Sequence, residues 1–184
     1  MTSNLHACGM PIAAVQGASR ANIQHLLADF AAELARDGFR VAGVLEVAEK
    51  APTGACGRLA LRELTTGRHF SISQNLGPGS TACNLDPGGL AAACAAVERS
   101  LDHGGDLVVI SKFGKQEAAN SGLADAFRAA AVAGVPILTA VNPAMSEAWT
   151  AFAGADSDIL PAEREALEFW WKEYQECALS AAAE

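Results

Sequence analysis

Cationic side chains are scarce in this chain of 184 residues: 13 Lys and Arg stand against 21 Asp and Glu, a net charge of −8. That balance argues against a nucleic-acid binder, which works by neutralising phosphates. Aromatic residues make up only 6%, with a single tyrosine. No apolar run approaches the length of a membrane span, and residues 1–10 lack a basic segment followed by an apolar core. The expectation is a soluble, cytoplasmic protein that meets neither membrane nor nucleic acid. The five cysteines, Cys8, Cys56, Cys83, Cys94 and Cys177, form no CxxC pair, which argues against a zinc ribbon or a thioredoxin-type motif. Cys94 and Cys177 fall in helical patterns and read as reduced, mostly buried small hydrophobes. No internal repeat or low-complexity linker divides the chain. One domain spanning 1–184 is expected, with 1–10 a loose leader in which His6 and Cys8 are weak metal candidates beside a frayed terminus.

What is present is alternation. Hydrophobic residues reach 51%, and they come in two periods. Residues 11–16, 39–46, 107–110 and 135–141 are short apolar runs that read as strands buried on both faces. Ile23, Leu26, Leu27, Phe30 and Leu34 share one face of a helix that stops near Gly38. Leu90, Cys94, Val97 and Leu101 mark a second helix, and residues 122–134 and 146–153 mark two more. A long helix is expected over 161–183, its Trp170, Trp171 and Tyr174 packing against the core. Residues 58–64 and 68–73 flank Thr65-Thr66-Gly67 as a hairpin. Residues 74–87 are irregular, crowded with Gly, Pro and small polar residues. The reading is a three-layer α/β fold with a mostly parallel sheet and a β-hairpin insertion.

The segment 106–117 organises the site. Its strand ends at Ile110, and a loop from Ser111 to Glu117 carries Lys112 and Lys115 to the carboxyl end of the sheet, where ligands bind in open α/β folds. The turn after the first strand, with Gly17, Ser19 and Arg20, opens a helix whose backbone N–H groups favour an anion. If the first strand and the strand at 107–110 are close neighbours, Ser19, Arg20, Lys112 and Lys115 converge. The competing reading makes both lysines solvated loop residues and Arg20 a decoration of a helix start. In the irregular segment, Ser80 and Thr81 are further candidate ligand contacts, with Cys83 a weak metal candidate. Asp86 before Pro87 reads as a helix cap.

From residue 12 to residue 141 this order resembles the small P-loop nucleoside triphosphatases. In that family a phosphate loop follows strand one, a strand and hairpin come next, and a helix leads to an acidic Walker B strand. The corresponding pieces are residues 43–46, 58–73, 84–86 and 109–115. Ser-Gln-Asn-Leu-Gly-Pro at 73–78, Cys-Asn-Leu-Asp-Pro at 83–87, Lys-Phe-Gly-Lys-Gln-Glu at 112–117 and Trp170-Trp171 are similar, more closely still, to a bacterial family of unknown function. Its members are often found beside molybdate-transport genes.

Two departures separate this chain from a working triphosphatase. The turn Gln16-Gly17-Ala18-Ser19-Arg20-Ala21 is too short for GxxxxGK[ST] and has no Lys-Ser/Thr pair. Ser111 and Lys112 stand where the Walker B acids belong, and a cation there repels Mg²⁺. The resemblance therefore implies a degenerate relative, not an enzyme of that class. A site of Ser, Arg and Lys suits an oxyanion held without metal, such as phosphate, sulfate or molybdate. The expected function is non-hydrolysing oxyanion binding linked to molybdate handling or storage. Residual nucleotide binding with weak hydrolysis, and a ligand-free regulatory adaptor, are the alternatives. The expected partner is a small anionic ligand, and homo-oligomerisation is left open.

Overall fold

The computed structural model describes residues 11–49, 58–73 and 85–181. Among these residues seven strands form one sheet in the order β4-β3-β2-β5-β6-β1-β7. The five on one side are β1 (Ile12–Gln16), β2 (Val41–Glu49), β5 (Leu107–Phe113), β6 (Ile137–Val141) and β7 (Asp158–Pro161), and neighbours among them run parallel. β3 (Arg58–Glu63) and β4 (His69–Ser71) continue from β2 as an antiparallel meander, the hairpin expected from the sequence.

The parallel strands are apolar on both sides because both faces are covered. α1 (Arg20–Arg36) and α6 (Arg164–Ala181) lie on one face, where Leu27, Phe30, Leu107, Val109, Leu138, Leu167 and Trp171 are buried together. On the opposite face α2 (Pro87–Leu101), α4 (Ala124–Ala133) and α5 (Ser146–Ala153) bury Val97, Phe127 and Trp149 against Val108, Ile110 and Phe113. Phe113, Phe127, Trp149 and Phe152 meet there largely edge to face, at centroid separations of 5.0–6.4 Å. Among the described residues the Thr139 hydroxyl and the Trp149 indole N–H of this core find no hydrogen-bond partner.

Local sequence sets the element ends. The Ser19 hydroxyl accepts from Asn22 N–H and caps α1, and the helix closes on Gly38, whose φ of +94° sends Phe39 N–H back to Leu34 O. Asp86 caps α2 through Gly88 N–H at 3.0 Å with Pro87 in the first turn, as expected. Gly43 is required for a different reason. It sits at φ +125°, and a Cβ there would collide with the Val109 carbonyl oxygen across the β2–β5 pair.

Four expectations are corrected. β5 does not end at Ile110: Ser111, Lys112 and Phe113 extend it, and Lys115–Ala118 then forms a single short helical turn, α3. β1 and β5 are not adjacent, because β6 lies between them and pairs with both. The strand β7 was not expected. It is a four-residue edge strand with mostly exposed side chains, so it carries no periodic signal, and α6 begins after it at Arg164 instead of at residue 161. Cys94 is a free buried thiol, and burial, its largest cause, pushes its pKa up. Cys177, by contrast, is disulfide-bonded instead of reduced.

Candidate functional site

The carboxyl ends of β1, β5 and β6 meet at a point where the connections leave in opposite directions. The chain departs from β1 through α1 onto one face, and from β6 through a short 3-10 turn (Pro143–Met145) and α5 onto the other. Such a switch opens a crevice outside the strand ends. Here the crevice is a cavity of about 530 Å³, and Gly17, Arg20, Ser111, Lys112 and Lys115 all line it.

Each of these residues is placed by a local device. Gly17 takes φ +99°, which turns the chain out of β1 with only Ala18 and Ser19 before α1 begins. That is a minimal turn, not a loop wrapped around a phosphate. β5 parts from both neighbours at its carboxyl end. Its pairing with β2 stops at Val44–Ile110, and its register with β6 shifts between Ile110 and Phe113. Ser111 and Lys112 sit in that bulge, a device that re-aims side chains near sites. Gln24 of α1 fills the gap. Its amide donates to Ser111 O at 2.5 Å, and its carbonyl oxygen accepts from Glu46 N–H at 3.3 Å.

Glu46 is the centre of the charged half. Its side chain is only 5% exposed, yet it pairs with both Arg20 and Lys112, whose side chains are 54% and 40% exposed. Arg20 Nε donates to one carboxylate oxygen at 2.8 Å and Lys112 Nζ to the other at 3.3 Å. One buried carboxylate therefore ties α1, β2 and β5 together and offsets part of the positive charge. Lys115 is exposed at the start of α3 and has no ion-pair partner among the described residues. Beside it, Glu117 is buried and accepts from Gly114 N–H at 3.0 Å and Leu123 N–H at 2.9 Å. Glu117 is thus committed to holding the β5–α3 corner.

Ser19 is the exception among the described candidates: its hydroxyl is used as the α1 cap and it does not line the cavity. Ser80, Thr81, Cys83, His6 and Cys8 lie outside the described residues. Glu46 was missed by sequence reasoning, since a lone acid near the end of a strand carries no motif. The other half of the wall was missed too. Leu61, Ile72, Leu85, Leu90, Leu123 and Met145 also line the cavity, and none was a candidate ligand contact from the sequence. Among the described residues no group of three or more His, Cys, Asp or Glu could hold a metal ion.

Comparison with known proteins places this geometry in context. Residues 12–170 match the family described as "Protein of unknown function (DUF2478)". A segment of the molybdenum import ATP-binding protein ModC 2 of Bradyrhizobium diazoefficiens is 42% identical over 162 residues. That match takes in 88% of this chain but 18% of the relative, so the chain spans less than a fifth of that protein's length. Among solved structures, THEP1 from the hyperthermophile Aquifex aeolicus superposes with a TM-score of 0.52 at 12% identity, covering 89% of this chain and 95% of that one. The likeness shows a P-loop-NTPase-like α/β fold. No helix among the described residues is long and apolar enough to cross a membrane.

Proposed function

We propose that this chain, which belongs to the DUF2478 family, is a binding domain that takes a ligand by an oxyanion group and does not turn over nucleoside triphosphates. The observation that carries the reading is the convergence of Gly17, Arg20, Ser111, Lys112 and Lys115 on one cavity at the carboxyl ends of the strands. Arg offers a planar fork to an oxyanion and Lys a point charge, and both act without metal. Among the described residues Lys115 has no ion-pair partner, and Arg20 keeps donors beyond those engaged by Glu46. An arriving oxyanion competes with the Glu46 carboxylate for Arg20 and Lys112. Hydrolysis needs a metal and a positioned water. The serine and lysine at 111 and 112 supply neither, and the turn at Gly17 is too short to wrap a triphosphate. The connection to molybdate handling rests on the name of the Bradyrhizobium relative. That name and the P-loop-like fold also favour a second reading, in which the oxyanion is the phosphate of a nucleotide.

A thermal-shift series with molybdate, tungstate, sulfate, phosphate, ATP and GTP separates these readings. A ligand that binds the native state raises its melting temperature by mass action. The expected result is a concentration-dependent rise with at least one inorganic oxyanion and no Mg²⁺-dependent turnover of ATP or GTP. A rise with ATP or GTP alone would favour the nucleotide reading. Turnover on the order of 1 s⁻¹ or faster, or no rise with any of the six, contradicts the proposal.

A further inference from the structure

We infer that the oxyanion is carried on an apolar organic body, so that the physiological ligand is an organic oxyanion such as a phosphate monoester or a sulfonate and not a free inorganic ion. The inference rests on the oxyanion reading of the same cavity and adds what fills the rest of it.

Size is the first reason. The cavity measures about 530 Å³, within the range of sites for drug-sized molecules. A water occupies roughly 30 Å³ of liquid, and a four-oxygen anion is on the order of a few waters. An inorganic oxyanion at Arg20 and Lys115 leaves most of the space empty.

The second reason is the wall. Leu61, Ile72, Leu90 and Leu123 are buried in the core on the α2–α4 face and also line the cavity, with Leu85 and Met145 half-buried beside them. Arg20, Glu46 and Lys112 form one charged cluster, and Glu46 stands directly opposite Leu61 across the β2–β3 pair, so this cluster borders the aliphatic wall. The cavity therefore has a charged half and an aliphatic half. Empty aliphatic wall gains nothing from an inorganic ion, whereas an apolar body placed there leaves water. The aliphatic half has few groups to pair with a hydrogen-bonding ring. It suits a hydrocarbon-like body better than one studded with donors and acceptors.

Isothermal titration of the full chain with three probes tests this: inorganic phosphate, 1-naphthyl phosphate and 1-naphthol. The expected result is binding of 1-naphthyl phosphate at least tenfold tighter than of phosphate and of 1-naphthol. Leu85→Gln and Met145→Gln, both at half-buried positions, are expected to remove most of that advantage. Equal affinities for phosphate and 1-naphthyl phosphate would overturn the organic body and leave the oxyanion reading standing. Naphthol bound as tightly as its phosphate would overturn the oxyanion reading, and this inference with it. Failure of all three probes to bind overturns both. The wild-type comparison decides the matter even if a variant does not fold.

Discussion

Glu46 shows how one residue sets the character of the site. Its carboxylate is nearly buried, but its partners Arg20 and Lys112 are largely solvated. Pairs with such exposed cations contribute little stability, typically up to about 1 kcal/mol. Their effect on an incoming anion is larger, because Glu46 occupies the donors that the anion needs. Glu46→Gln should therefore melt within a few degrees of the wild type and bind an inorganic oxyanion such as molybdate or phosphate about three- to tenfold more tightly, measured by titration. Lys115→Ala removes a cation that no carboxylate among the described residues engages, and about tenfold weaker binding is expected, roughly 1.4 kcal/mol. A loss of affinity in Glu46→Gln would mean that the carboxylate holds Arg20 and Lys112 in place and does not compete with the ligand. Sequence reasoning found Arg20 and Lys115 through the strand ends they follow. It could not find Glu46, whose importance lies in two partners 26 and 66 positions away.

Among the elements, the β3–β4 hairpin has the sharpest chemistry. Glu63 is 1% exposed at its turn. It accepts from Thr65 N–H at 2.7 Å, Thr66 N–H at 2.6 Å, the Thr66 hydroxyl, and the Ser100 hydroxyl of α2 at 3.2 Å. Burial is the largest single influence and raises its pKa. The bonds from Thr66 and Thr65 together outweigh it, so the carboxyl is held below its ordinary value. A carboxyl with a depressed folded pKa contributes stability that is complete above its unfolded value, about 4.3. That stability is lost as pH falls through the folded value. Glu63→Gln should cost about 2 kcal/mol at pH 7. The gap between variant and wild type should close as pH falls below about 4, followed by chemical denaturation at each pH. A gap that persists unchanged at low pH would mean that packing, and not the charge, accounts for the loss.

Most elements were legible because they are buried on two faces or carry a cap. β1, β2 and β6 announce themselves as apolar runs, and Asp86-Pro87 announces α2. β7 was not legible: as an exposed edge strand its side chains follow no alternation, and its place is set by its parallel register with β1. β5 was cut short because Ser111 and Lys112 look like loop residues. The bulge that keeps them within the strand is a property of the pairing with β6 and is not written in their chemistry.

Taken whole, the molecule separates support from site. Two buried layers fix the strands, and the carboxyl ends of β1, β5 and β6 project the candidate ligand residues into one crevice. That the crevice lies there was readable from strand order in the sequence and the rule for open sheets. The intervening position of β6, the neutralising carboxylate and the aliphatic half were not, since each depends on which strands become neighbours. The claim that everything else depends on is the location of binding. A two-dimensional ¹⁵N–¹H titration of the chain with molybdate, repeated with phosphate, tests it directly. Saturable shifts are expected, concentrated at the backbone amides of Gly17, Ala18, Arg20, Lys112, Gly114 and Lys115. Saturable shifts confined elsewhere, for example to the groove between α4 and α5 around Arg128 and Phe152, or no shifts with either ion, would contradict it.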